Sequence, residues 1–98
     1  MAKVARSVPR HRRRFKVTLA GHTSFTVDVS IGGFSTESMR VLLAGTELGG
    51  TMHIEGKEVA FSGRVAWSKA GAPQLNVRGR MGVRFTRAPQ ELLALIPS

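Results

Sequence analysis

The 98-residue sequence contains no cysteine, no tyrosine, one tryptophan, and 6 acidic residues against 15 lysines and arginines. The lack of cysteine excludes disulfides, thiolate nucleophiles and cysteine-ligated zinc. The longest apolar run is Leu92–Ile96, which is far shorter than the ~20 residues that a membrane helix needs. No apolar signal-peptide core follows the basic N-terminus. These absences predict one folded cytoplasmic domain that does not insert into a membrane.

Positive charge is concentrated at the N-terminus of the chain. Seven of the 15 cations lie in the first sixteen residues, which contain no acid. This distribution predicts a basic flexible head, residues 1–14, and a folded body, residues 15–98. Such a head attracts phosphate groups. A solvated tail that binds nothing in particular is the alternative interpretation.

From Phe15 onward, apolar and polar residues alternate with the period of a β-strand. Alternating runs begin near Phe15, Phe25, Thr51, Glu58 and Arg80. Each run has one apolar and one polar face, which is typical of antiparallel strands around a single core. Five or six short strands with no intervening helix therefore favour an all-β barrel or sandwich.

Three further segments connect or follow these strands. Glu55–Glu58 contains Gly56 and predicts a tight hairpin. Pro89–Ile96 predicts a C-terminal helix, which is too short to be stable alone and must dock on the barrel. Ser38–Leu48 fits either a strand or a loop with apolar anchors.

Two short patterns carry ligand-binding chemistry. Arg10 and Arg14 form an R-x-x-x-R pattern directly before the first strand. Asp28, Ser30 and Gly33 form a D-x-S-x-x-G pattern at the end of the second strand. A short connection between these strands predicts that both patterns lie on one patch of the barrel.

The alternation of the second strand predicts which side chains are open to a ligand. It assigns Phe25, Val27 and Val29 to the core, so Asp28 and Ser30 should both point outward. Arginine forks match phosphate oxygens or the O6/N7 edge of guanine. The Asp28 carboxylate can accept hydrogen bonds from guanine N1–H and the 2-amino group, which adenine lacks. The patch therefore fits a guanine nucleotide.

The two patterns, in this order, resemble the paired signature of PilZ domains, which are bacterial receptors for cyclic di-GMP. Gly63–Trp67 and Gly82–Phe85 are similar to the G-x-V-x-W and G-V-x-F strands of that family. The resemblance covers roughly Arg10 to Phe85. It implies a six-stranded antiparallel β-barrel with a short C-terminal helix, and cyclic di-GMP on its outer surface. No other cofactor is expected, and no metal site is expected because the three histidines have no metal-ligand spacing and the sequence has no cysteine and one aspartate.

The resemblance also implies a role for each motif residue. Arg10 and Arg14 would hold phosphates and guanine edges, Asp28 and Ser30 would read a guanine, and Gly33 would permit the turn. Secondary ligand contacts are expected from Arg12, Arg13, Gly32 and Trp67.

The aromatic residues separate two classes of binding protein. Trp67 follows the period of Val65, which favours the core, although the family resemblance also allows ligand stacking. The alternation assigns five aromatic residues to the apolar face: Phe15, Phe25, Phe61, Trp67 and Phe85. Because single-strand nucleic-acid binders stack bases on outward aromatics, this assignment argues against nucleic acid.

The sequence thus predicts a non-enzymatic receptor. Cyclic di-GMP would order the arginine head and thereby change the surface seen by a partner protein. The alternatives are a small basic barrel that binds RNA or DNA, and a PilZ-like adaptor that acts only through protein contacts. The later arginines are assigned to a solvated face: Arg78, Arg80, Arg84 and Arg87.

Overall fold

A computed structural model describes residues 13–96, which form a closed, six-stranded antiparallel β-barrel. The strands are β1 (Lys16–Leu19), β2 (His22–Ser30), β3 (Gly33–Ser38), β4 (Glu47–Ile54), β5 (Lys57–Lys69) and β6 (Gly79–Arg87), followed by helix α1 (Gln90–Leu95). A 3₁₀ turn, Pro73–Leu75, precedes β6. The strand order is β1-β2-β3-β6-β5-β4, and pairing of β4 with β1 closes the barrel. The predicted barrel with a short C-terminal helix is confirmed.

Two tight hairpins fix the register of neighbouring strands. Ala20 and Gly21 connect β1 to β2 with φ values of 49° and 84°. Glu55 and Gly56 connect β4 to β5 with φ values of 50° and 78°. Two consecutive positive φ angles match the twist of the flanking strands, which is why glycine occupies the second position. The hairpin predicted at Glu55–Glu58 is confirmed.

The core is built from the inward residues of every strand and from α1. Phe34 and Phe61 pack edge to face, with ring centroids 5.6 Å apart. Leu92 and Ile96 join the same cluster with 0% and 4% of their surface exposed, so the helix docks as predicted. No helix within residues 13–96 is long and apolar enough to cross a membrane.

One strand and one connection were not assigned correctly by the alternation. β3 (Gly33–Ser38) was not predicted, although its Phe34 lies at the centre of the core. The ambiguous segment from Ser38 to Leu48 contains the end of β3, an irregular connection and the start of β4. Val41 and Leu42 pack partly against the core from that connection, as apolar anchors.

A β-bulge in β2 breaks the predicted alternation. The register against β3 shifts between Thr26 and Asp28, so Val27 is an extra residue in the strand. As a result Thr26 is only 2% exposed, whereas Phe25 is 39% exposed. The prediction that Phe25 faces the core is therefore wrong.

A second bulge has the same effect in β5. The register against β6 shifts between Val65 and Trp67, which makes Ala66 the extra residue. Val65 is 1% exposed and Trp67 is 45% exposed. The core interpretation of Trp67 is therefore wrong, and its indole is open to a ligand.

Candidate functional site

Thr26 anchors residues 13–15, at the end of the basic N-terminal segment, to the barrel. Its hydroxyl donates to the Arg13 carbonyl oxygen at 2.5 Å and accepts from the Phe15 N–H at 2.8 Å. The Thr26 N–H also donates to the Phe15 carbonyl at 2.9 Å. Because Thr26 is buried, these bonds are partly shielded from water. They fix the backbone on both sides of Arg14.

Arg14 lies on the ring of Phe25. Its guanidinium carbon is 4.4 Å from the ring centroid, which is the geometry of a cation–π contact. The bulge in β2 makes this contact possible, since it turns Phe25 outward. The exposed ring therefore holds the guanidinium against the outer wall of the barrel.

The same bulge puts Phe25 and Asp28 on one face of the sheet. Phe25 pairs with Glu37 and Asp28 pairs with Ser35 of β3, and these partners are two residues apart. Since residues i and i+2 of a strand share a face, Phe25 and Asp28 both lie on the outer face. Asp28 is half-buried there. Arg14 and Asp28 thus reach the same side of the barrel.

Arg14 and Phe25 form part of a groove of about 550 Å³ on this face. We call it the Arg14 groove, and its lining includes Arg14, Phe25, Glu37, Met39, Arg40 and Arg78. Its volume falls within the ~300–1,000 Å³ of small-molecule sites. Among residues 13–96, the side chains that line it include three arginines and one carboxylate. The groove is therefore built to attract an anion.

The one carboxylate of the groove is already paired. Arg80 donates to Glu37 at 2.7 Å. This hydrogen bond, against a smaller opposing effect of burial, holds the pKa of Glu37 below its ordinary value of 4.5. The positive charges of Arg80, Arg78 and Arg14 lower the same pKa further. Glu37 is thus ionised at neutral pH, and its nearest partner is an arginine outside the lining.

Ser30 does not lie open on the outer wall, so that prediction is wrong. It is 1% exposed, because the turn at residues 31–32 closes over its side chain. Its hydroxyl accepts from the Gly32 N–H at 3.2 Å and donates to the Gly33 carbonyl at 3.4 Å. Ser30 therefore shapes the corner between β2 and β3.

Gly33 directly follows this turn, and the structure adds a packing requirement to the role predicted for it. It pairs with Ser30 on one side and with Arg84 of β6 on the other. A Cβ at this position would collide with the Val83 carbonyl oxygen and lie 3.0 Å from the Arg84 Cα. Gly33 is thus required for close packing of β3 against β6. Gly32, by contrast, has only the Ser30 hydroxyl nearby, at 3.8 Å from a Cβ.

Trp67 lies on the same outer face as Asp28. The pairing runs from Asp28 to Ser35, then to Gly82, and from Gly82 to Trp67. A Cβ on Gly82 would collide with the indole nitrogen and lie 2.6 Å from Cε2. The absence of a side chain at Gly82 therefore lets the indole lie against β6.

The remaining predicted residues divide at the boundary of the described chain. Arg10 and Arg12 lie outside residues 13–96. Arg13 contributes its carbonyl oxygen to the Thr26 anchor, and its side chain is exposed.

Four residues of the site were missed by sequence reasoning: Phe25, Thr26, Arg40 and Arg78. The orientation of the first two depends on the bulge in β2, which the alternation of apolar and polar residues does not reveal. The last two come from connections whose positions depend on closure of the whole barrel. Gly82 was a usable signal for Trp67, because a glycine inside a strand often marks a close approach by another group.

The comparisons with known proteins agree with this architecture. A model of the PilZ domain family matches residues 3–96. No curated protein sequence matches the chain significantly. Among solved structures, the chain is similar to the Bacillus subtilis inhibitor of motility (MotI/DgrA), with a TM-score of 0.76 and 14% sequence identity. That likeness shows the fold, and it covers 95% of this chain but only 48% of the other protein. Since the family model spans nearly the whole sequence, the chain belongs to the PilZ domain family.

Proposed function

We propose that this chain is a non-enzymatic bacterial receptor that binds cyclic di-GMP on the outer face of its barrel. The observation that carries the proposal is the Arg14 guanidinium held on Phe25, in a cationic groove on the face that also bears Asp28. Membership of the PilZ family, whose domains bind cyclic di-GMP, supports the same ligand.

In this proposal each motif residue has a distinct task. Arg14 binds a phosphate or the O6/N7 edge of a guanine, together with Arg10 from the N-terminal segment. Asp28 accepts hydrogen bonds from guanine N1–H and the 2-amino group. Ser30 and Gly33 act indirectly, because they hold the corner that follows Asp28. Discrimination against adenine arises since adenine would leave the Asp28 carboxylate without those donors.

Trp67 supplies a surface for a base. Its indole is 45% exposed and lies so close to β6 that Gly82 has no room for a Cβ. Stacking of a base on such an aromatic surface contributes about 1–3 kcal/mol. Arg12 and Arg13 add positive charge beside the ligand.

In this proposal, the Thr26 anchor is the structural basis of signalling. Residues 13–15 are fixed to the barrel, so a ligand that bridges Arg10 and the Arg14 groove changes where the N-terminal segment lies. We propose that a partner protein recognises this change.

Calorimetry with three ligands tests the proposal. Cyclic di-GMP should bind tightly, whereas cyclic di-AMP should bind weakly because it lacks the guanine donors. Linear pGpG should bind less tightly than cyclic di-GMP, since it is not constrained in the bound shape. Comparable weak heats for all three ligands would exclude a guanine-specific receptor.

A nucleic-acid-binding barrel is a second candidate. Phe25 and Trp67 are 39% and 45% exposed, so these two aromatics do not face the core as the alternation predicted. Together with a net charge of +9, two outward aromatics favour binding of single strands. Gel shifts over a salt series separate the candidates, because tight binding with a steep salt dependence is typical of nucleic acid. A chain that binds none of these ligands would instead fit an adaptor that acts through protein contacts.

A further inference from the structure

Two arginines outside the known motifs line the Arg14 groove. Arg40 follows β3, and Arg78 directly precedes β6. Neither belongs to the R-x-x-x-R or the D-x-S-x-x-G pattern, and Arg78 was assigned from the sequence to a solvated face. Their shared position with Arg14 and Phe25 in one groove is a finding of the structure.

Both arginines project from backbone that is held in place. The Arg40 N–H donates to the Ser38 hydroxyl at 3.1 Å, and its guanidinium contacts His22 Nε2 at 3.1 Å. On the other side, Gly71 packs so closely that a Cβ there would lie 2.5 Å from the Arg78 carbonyl carbon. A bridge between Ala72 and Val77 closes the same loop. The backbone that carries these arginines therefore needs no reordering when they bind a ligand, and the Arg40 side chain has a contact that also limits its motion.

The two segments also pack against each other. A Cβ on Gly79 would lie 3.0 Å from the Val41 Cγ1 atom, so the chain after Arg40 contacts the chain after Arg78. Both arginines therefore belong to one wall of the groove.

The charge of this wall is not neutralised within the groove. Glu37 is hydrogen-bonded to Arg80, while Arg78 and Arg14 act on it only through their charge. Within residues 13–96, no carboxylate lies within ion-pair distance of Arg40 or Arg78. An anion that entered the groove would meet two guanidinium groups that have no carboxylate partner in the described part of the chain.

We propose that Arg40 and Arg78 form a second phosphate subsite in the Arg14 groove. The inference rests on the proposed function and deepens it: the cyclic dinucleotide places one phosphodiester at the Arg14 side and the other at Arg40 and Arg78. The ligand specificity then includes the number and spacing of its phosphates as well as its bases.

The test compares two ligands with the same base. Cyclic di-GMP carries two phosphodiesters, whereas 3′,5′-cyclic GMP carries one. Binding to the full chain is followed by amide chemical shifts, which also measure weak affinities. We expect the double variant Arg40→Ala/Arg78→Ala to bind cyclic di-GMP about 10- to 100-fold more weakly, as expected for lost charge-assisted hydrogen bonds. Its affinity for cyclic GMP should stay within about threefold of wild type, since that ligand occupies the Arg14 side.

Arg84→Ala is the matched control, because it removes the same charge from an exposed position on β6 outside the Arg14 groove. It should leave both affinities nearly unchanged. The subsite is overturned if the double variant binds cyclic di-GMP like wild type, or if it loses affinity for both ligands equally.

If the wild-type chain does not bind cyclic di-GMP, the proposed function fails, whatever the role of the subsite. Titration with inorganic pyrophosphate then tests the subsite itself. Amide shifts confined to residues 39–41 and 77–79 would support an anion site there, and their absence would overturn it.

Discussion

Two grooves on the outer wall of the barrel have nearly equal volumes and both contain arginine. The Arg14 groove has about 550 Å³. The second groove, which we call the Arg64 groove, has about 540 Å³ and is lined by Gly45, Arg64, Val65, Ala66, Arg84 and Thr86. Each groove is also associated with one Arg–Glu ion pair, at 2.7 Å for Arg80–Glu37 and 2.6 Å for Arg64–Glu47.

The grooves differ in how many lining arginines have no carboxylate partner among residues 13–96. In the Arg64 groove, the paired arginine is itself part of the lining, so among residues 13–96 one lining arginine, Arg84, keeps its charge without a carboxylate. In the Arg14 groove, the carboxylate is paired with Arg80, and three lining arginines remain. Within the described part of the chain, Phe25 lines only the first of the two grooves. Both grooves therefore contain arginine, but among residues 13–96 only the Arg14 groove combines several arginines without a carboxylate partner with an exposed aromatic ring.

The largest expected effect is a loss of ligand affinity that occurs in a variant of the Arg14 groove and not in a variant of the Arg64 groove. Arg14→Ala should weaken cyclic di-GMP binding about 100-fold, because it removes a charge-assisted contact. Arg84→Ala should change the affinity by less than about threefold. Both residues are exposed, so the melting temperature should move by no more than about 2 °C in either variant. Calorimetry measures both affinities. An equal loss in the two variants would contradict the proposal that the ligand binds in the Arg14 groove and not in the Arg64 groove.

The next effect concerns the anchor beneath Arg14. Thr26→Val keeps the shape of the side chain but removes two hydrogen bonds, to the Arg13 carbonyl and from the Phe15 N–H. We expect the free energy of unfolding to fall by about 1–2 kcal/mol, since two partly buried backbone groups lose their hydrogen-bond partner. Thr86→Val, at an exposed position in the Arg64 groove, should be nearly neutral. Urea unfolding of both variants measures the difference, and equal stability would show that the anchor contributes nothing.

A smaller effect is expected from the ring that supports Arg14. Phe25→Leu should weaken ligand binding about three- to fivefold, which corresponds to a cation–π contact of about 0.5–1 kcal/mol. Phe25→Tyr should restore the affinity, because it keeps the ring. The side-chain protons of Arg14 should also lose their ring-current shift in the leucine variant without any ligand. An unchanged shift would mean that Arg14 is positioned by other contacts.

The smallest effect tests the role of Glu37. Its pKa is lowered in the folded state, so its ionised form stabilises the fold above pH 4.5, and this contribution is lost as the pH falls through the lowered pKa. Glu37→Gln should therefore be slightly less stable than wild type at pH 7, and the two should converge in acid. Glu55→Gln, in the β4–β5 turn, serves as the control. A stability difference that persists in acid would exclude the ion pair as its cause.

The sequence predicted the architecture well because strands and turns leave local signals. The pair Glu55–Gly56 marks a two-residue hairpin, and the apolar face of Leu92 and Ile96 identifies a docking helix. The motifs also predicted that Arg14 and Asp28 lie close together, and the structure places both on the same face of the barrel.

The orientation of several site residues could not be obtained in the same way. The extra residue at Val27 exchanges the faces of Phe25 and Thr26. The alternation of apolar and polar residues in the sequence does not show where such a bulge occurs. Ala66 does the same for Trp67. The position of Arg78 beside Arg40 depends on contacts between connections that lie far apart in the sequence.

The indole that rests on Gly82 gives this chain an intrinsic optical reporter. Trp67 is the single tryptophan and the sequence has no tyrosine, so near-ultraviolet emission comes from one known position. Because that position is open on the outer face, a purine that stacks there would quench the emission without any attached dye. Occupancy could then be followed in real time on the unmodified protein.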